Sequence, residues 1–173
     1  MKHILFILVT LCTLSGMAQP SKDKTILTGA ERLNVYLPML KERKLGIFAN
    51  HTSIVRNSHL VDTLQKLGMK ISVIFAPEHG FRGTANAGEK ITNYVDQETG
   101  IPVVSLYGTK LRPSVEDLKD VDILIFDIQD VGVRFYTYIS SLEEYIVSAI
   151  RNNKPLVVLD RPNPNGFYID GPV

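Results

Sequence analysis

The stretch FAPEHGFRG, residues 75–83, brings a carboxylate, an imidazole and a guanidinium (Glu78, His79 and Arg82) within five residues, directly after an apolar run and punctuated by glycine. Three other stretches have the same form. FANHTS (48–53) carries Asn50 and His51. FDIQDVGVRFYTY (126–138) carries Asp127, Gln129, Asp130, Arg134 and Tyr136. LDRPNPNG (159–166) carries Asp160, Arg161 and Asn163. The carboxylates suggest acid–base work. Glycoside cleavage needs an acid to protonate the leaving oxygen, and usually a second carboxylate as base or nucleophile. Glu78, Asp127, Asp130 and Asp160 all follow apolar runs, and Glu78 has Pro77 and Phe81 as neighbours, a setting that favours a protonated carboxyl. The competing reading makes Glu78 the partner of Arg82 in a loop clamp. Arg82, Arg134 and Arg161 suit an anionic substrate group, since a guanidinium binds a carboxylate through two parallel hydrogen bonds. They equally suit ties to neighbouring acids. Tyr136 and Tyr138 serve either as stacking surfaces for a sugar ring or as the packed first turn of a helix. Asn50 and His51 read as polar contacts at a strand end.

Other chemistries lack their residues. No G-x-G-x-x-G follows the first apolar run, and Gly80, Gly83 and Gly88 have the wrong spacing and position for a dinucleotide loop. No Walker loop and no G-x-S-x-G elbow is present. His51, His79, Asp127 and Asp130 are the available metal donors. They come from separate loops, with no H-x-H or H-x-x-x-H pair. No cofactor and no metal is expected.

Something must hold these loops together. KLGIFAN (44–50), KISVIFA (70–76), IPVVSLY (101–107), VDILIFD (121–127) and KPLVVLD (154–160) are short runs rich in Val, Ile and Phe without strict alternation. Strands covered on both faces look like this. Helical patterns lie between them. One covers 58–67, closed by Gly68. One covers 114–118, where Ser114 and Asp117 form a capping-box-like start. One covers 140–152, with Leu142, Tyr145, Ile146 and Ala149 on one face. Alternating strands and helices predict an α/β fold, a Rossmann-like open parallel sheet of five strands with flanking helices. Ligands of such sheets bind beyond the carboxyl ends of the strands. All four polar stretches fall at that edge.

The chain has 173 residues, 45% hydrophobic and 21% charged, which is ordinary globular composition. Lys2, the apolar run 4–14 and the small residues Gly16 and Ala18 read as a secretory signal peptide over 1–18. That run is too short for a membrane span of ~20 residues. The expected organisation is a signal peptide (1–18), a lead-in segment (19–43) and a Rossmann-like domain (44–173). The single cysteine, Cys12, falls in the signal segment, so a mature chain has no disulfide. Nineteen basic residues against 18 acidic ones give no polycationic surface. Neither nucleic acid nor stable membrane insertion after cleavage is expected. A periplasmic or secreted location follows from the signal segment.

FANHTS, VIFAPEHGFRG, DILIFDIQDVGVRFYTY and VVLDRPNPNG, in that order, resemble the exo-β-N-acetylmuramidase family NamZ, also known as the domain family DUF1343. The resemblance runs from about residue 45 to 173. It implies a secreted bacterial glycoside hydrolase that removes N-acetylmuramic acid from the non-reducing ends of peptidoglycan fragments, using a Rossmann-like domain and a smaller second domain. Carried over motif by motif, it implies Glu78 as the catalytic acid, and Asp127 or Asp130 as base or nucleophile. It also implies His79, Arg82, Gln129, Arg134, Tyr136, Asp160, Arg161 and Asn163 as lining residues. The substrate's lactyl carboxylate would suit the arginines. Family members are about twice this length, so the second domain is expected beyond YIDGPV. Two other readings stand beside this one: a cell-wall sugar-binding module without turnover, and a metal-dependent hydrolase using His51, His79 and Asp130.

Overall fold

The computed structural model describes residues 26–84, 86 and 92–167; the expected signal peptide lies outside these. A 3-10 turn (Gly29–Glu31) and helix α1 (Leu33–Leu40) lead into strand β1 (Lys44–Ala49). A small hairpin follows, β2 (Ile54–Val55) and β3 (Ser58–His59), and runs straight into α2 (Leu60–Lys66). Then come β4 (Lys70–Ala76), β5 (Tyr94–Val95), β6 (Pro102–Ser105), a 3-10 turn (Glu116–Leu118), β7 (Ile123–Asp127), α3 (Tyr138–Arg151) and β8 (Leu156–Val158).

The main sheet has the order β5-β6-β4-β1-β7-β8. All five expected strands are present and parallel to their neighbours, with β1 at the centre between β4 and β7. A sixth, β5, pairs antiparallel with β6 at the edge. The expected all-parallel sheet lacked it because two residues show no periodicity. The five parallel strands follow the doubly wound order 3-2-1-4-5, and the winding reverses between β1 and β7.

Side-chain parity divides the core in two. Leu45, Ile47, Ile74, Ile123 and Ile125 face α1 and α2, where Tyr36, Leu40, Leu60 and Leu64 are buried. Phe48, Phe75, Leu124 and Phe126 face α3, where Tyr145 and Ala149 are buried. Each such large apolar side chain contributes about 1.5–3 kcal/mol on leaving water. Tyr145 sits edge-on to Phe48 and Phe75, and its hydroxyl donates to the Gly46 carbonyl at 3.0 Å. A side chain at Gly46 would press on Leu124, Val121 and Phe75, at 3.0–3.2 Å.

Two helical expectations change. Residues 114–118 form only the 3-10 turn, although the capping contacts are real: Ser114 N and Oγ both donate to Asp117 Oδ2 at 2.7 Å. In α3 the buried face runs through Leu142, Tyr145 and Ala149, while Ile146 turns outward. No helix among the described residues is long and apolar enough to cross a membrane.

Candidate active site

The polar stretches meet at the carboxyl edge of the sheet. β4 and β6 are in register at Ala76 and Ser105, and the Leu106 amide donates to the Ala76 carbonyl at 2.8 Å. The chains past these strands therefore leave side by side. Glu78 is half-buried there, and its Oε1 accepts from the Tyr107 hydroxyl at 2.9 Å. Both line a pocket of about 340 Å³ with Leu111, Thr137, Ser140 and Glu144. His79 follows with φ 68°, the left-handed region that non-glycine residues rarely occupy, and turns the chain sharply after Glu78. Glu144, a second carboxylate on this pocket, is paired with Arg112 at 2.6 Å.

Across β1 the picture differs. Asp127, the last residue of β7, is fully buried. Arg161 binds it with two bonds, Nε to Oδ1 at 2.6 Å and Nη2 to Oδ2 at 2.9 Å, and Nη2 also reaches the Ile54 carbonyl at 3.1 Å. Burial pushes the Asp127 carboxyl up, by more than the guanidinium pulls it down. The turn after β1 is built onto this pair. Ser53 Oγ donates to the Asp127 carbonyl and accepts from the Asn50 amide. Asn50 Oδ1 accepts from Thr52 N at 2.9 Å and from Thr52 Oγ1 at 2.6 Å. His59 is buried beneath the turn. Its Nε2 lies 2.8 Å from the Asn50 carbonyl, and its Nδ1 caps α2 by accepting from Val61 N at 3.2 Å. Burial lowers the His59 pKa, so it stays neutral, donating through Nε2.

Gln129 is a tie: its amide donates to the Asp130 and Pro162 carbonyls at 2.7 and 2.9 Å, joining the loops after β7 and β8. Gly132 completes this junction, with φ 73° and no room for a side chain: a Cβ there would lie 2.2 Å from Asn163 Oδ1. Asp130 Oδ2 accepts from the Gly132 amide at 2.8 Å. Asp130, Asp160, Arg161 and Asn163 line a second pocket of about 250 Å³ with Tyr138 and Ile139. The start of α3 thus separates two pockets, one holding Glu78 and one holding Asp130.

Tyr138 lines the second of these. Burial pushes its hydroxyl up, the Asn50 amide pulls it down, and Tyr136 and Glu78 add to the rise. Asn50 Nδ2 is buried and meets no acceptor in full hydrogen-bond geometry.

Arg82 is committed elsewhere. It binds Asp62 through Nη1 and Nη2 and Asp96 through Nε and Nη2, with distances of 3.0–3.2 Å, and Glu98 lies 3.4 Å away. The guanidinium also covers the Phe81 ring at 4.5 Å. The competing reading of the sequence paired Arg82 with Glu78; its side-chain hydrogen bonds go to Asp62 and Asp96. Arg134 and Tyr136 are exposed, and Arg134 has no ion pair among the described residues. The ring of Tyr136 lies between those of Phe135 and Tyr138, at centroid distances of 5.9 and 6.1 Å. His51 is exposed, with its ring packed on the backbone at Gly83. No three His, Cys, Asp or Glu side chains among the described residues gather as a metal-binding group, so His51, His79 and Asp130 do not form one. Sequence reasoning missed Ser53, His59, Tyr107 and Glu144.

Comparison with known proteins follows the same elements. The N-terminal family of exo-β-N-acetylmuramidase NamZ matches residues 45–173. The peptidoglycan β-N-acetylmuramidase NamZ of Bacillus subtilis strain 168 is 43% identical over 161 residues, covering 90% of this chain and 38% of its own length. Two crystal structures of DUF1343 family proteins from Bacteroides fragilis NCTC 9343 superpose with a TM-score of 0.72 each. They are 44% and 39% identical, over 84% and 80% of this chain and 37% and 35% of theirs. This chain therefore spans well under half the length of these relatives. From the central strand to its last residue, it belongs to the NamZ exo-β-N-acetylmuramidase family, as that family's N-terminal part.

Proposed function

We propose that this chain is the Rossmann-like part of a secreted glycoside hydrolase that releases N-acetylmuramic acid from the non-reducing ends of peptidoglycan fragments. The single observation that carries the reading is Glu78: a half-buried carboxylate at the binding edge of the sheet, on a pocket, held by a neutral hydroxyl. A carboxyl with a neutral partner can hold a proton and give it up, as a general acid must. In this reading Glu78 protonates the glycosidic oxygen. Asp130, across the start of α3, is the second carboxylate, while Asp127 spends its charge on Arg161. Two of the three candidate arginines are occupied by acids. Arg134 is left for the lactyl carboxylate, with Tyr136 beside it as a stacking surface. Residues 1–18 direct export, and the rest of the cleft comes from the family's second domain.

The test compares two substrates on this chain and on the protein extended to the length of its relatives. One is a disaccharide of N-acetylmuramic acid β-linked to N-acetylglucosamine. The other is nitrophenyl N-acetylmuramide, with the N-acetylglucosaminide as control. Nitrophenolate leaves with little protonation, so Glu78→Gln should cost far more on the disaccharide than on the aryl glycoside. Equal losses on both would assign Glu78 to another role. Binding of the disaccharide by the extended wild-type protein without any release would replace the enzyme with a binding module.

A further inference from the structure

Parallel neighbours that end in register deliver the residues beyond them to the same place. The last paired rung of β4 and β6 is Ala76 with Ser105. Glu78 lies two residues past Ala76, and Tyr107 two past Ser105. The hydroxyl and the carboxylate meet at 2.9 Å on the wall of one pocket. Resting on the reading of Glu78 as the general acid, we infer that Tyr107 is its positioning residue: a fixed donor on Oε1 that orients the carboxyl for delivery of its proton.

Two features support this role. The bond to Glu78 pushes the Tyr107 hydroxyl up, so it remains a donor throughout the neutral range. The bond also gains strength as the reaction proceeds. The proton passes from Glu78 to the glycosidic oxygen, the bond from that oxygen to the anomeric carbon breaks with its electron pair going to oxygen, and Glu78 is left as an anion. Hydrogen bonds to a charged acceptor are about twice as strong as neutral ones. Tyr107 thus stabilises the transition state more than the ground state, which is the condition for raising kcat.

The experiment is the pH–rate profile of Tyr107→Phe against wild type and Glu78→Gln, on the disaccharide, in the protein extended to the length of its relatives. Phenylalanine keeps the ring and its packing, so melting temperature and KM should stay close to wild type. The expected result is a kcat lower by about 10–100-fold and an alkaline limb of kcat/KM moved up by about one pH unit. The direction follows because losing a donor to the anion makes Glu78 hold its proton to higher pH. A Tyr107→Phe profile that superimposes on wild type, with Glu78→Gln inactive, would overturn the role of Tyr107 alone. An active Glu78→Gln would remove the acid itself and the inference with it. A carbon-13 titration of the Glu78 carboxyl, identified by its absence in Glu78→Gln, reads the same shift without turnover. No change there on Tyr107→Phe also counts against the inference.

Discussion

The two strands that flank β1 both lead to carboxylates, and the two carboxylates are opposites. Asp127 ends β7, is fully buried and is bound through both oxygens by a guanidinium. Glu78 follows β4, stays half-exposed and accepts a hydrogen bond from the Tyr107 phenol. Topology puts both at the edge where α/β proteins bind ligands. The counter-group separates them. A guanidinium beside a buried carboxylate cannot lose its partner's charge without being stranded itself. A hydroxyl tolerates either protonation state. Position nominates a residue for chemistry, and the neighbour decides whether chemistry is open to it.

The sharpest way to break this contrast is to neutralise each acid in turn. Glu78→Gln should lower turnover of the disaccharide by about 10²–10⁴-fold while leaving the denaturant midpoint where it was. Removing the partner of Asp127 should do the reverse. Arg161→Met leaves a buried charge alone and should cost about 3–5 kcal/mol in urea unfolding. Replacing both, as Asp127→Leu with Arg161→Met, should recover most of that loss. A double variant as unstable as the single one would mean that packing, not charge, governs the site.

The Arg82 clamp gives a smaller effect that follows pH. Burial pushes Asp96 up, but the bonds from Arg82 and Thr99 outweigh it and hold the carboxyl below its ordinary 3.8. A depressed folded pKa means stability that is present above 3.8 and lost as pH falls through the lower folded value. Wild type should therefore unfold more easily as pH drops below about 4, by about 1–3 kcal/mol at this network. Asp96→Asn should flatten that part of the curve. An unchanged acid slope would show that the clamp forms no net stabilising contact. Least of all should come from the ion pair of Lys44 with Asp120, whose side chains are both more than half exposed. Asp120→Ala should leave the denaturant midpoint almost where it was.

Much of this was legible in the residues. The five apolar runs became the five parallel strands, because strands buried on both faces need continuous Val, Ile and Phe. The four polar stretches do converge on one edge. The elements that escaped were those without a period. The β2–β3 hairpin and β5 are two-residue strands. Helix α1 carries Pro38, which reads as a breaker. The site was only partly readable for a different reason. Sequence shows which side chains lie near strand ends, but the partners of Arg82 and Asp127 depend on which strands are neighbours. Tyr107 is the clearest case. It sat in plain view at the end of a run, and only the pairing of β4 with β6 put it against Glu78. His59 gave a weaker signal, as a side chain that caps the helix it precedes.

The bond from the Gly29 amide to the Asp160 carbonyl, at 2.6 Å, joins the front of the described chain to its back. It is close enough that a Cβ on Gly29 would lie 2.5 Å from the Asp160 nitrogen. A ribosome makes the central strand early and adds its neighbours outward, first β4 and β6, later β7 and β8. Among the described strands β8 is made last, so the seat for Gly29 is synthesised well after helix α1, whose Tyr36 and Leu40 wait to be covered. Whatever handles the nascent chain until then meets an open sheet. The described sheet closes from its edge strand β8 back onto helix α1.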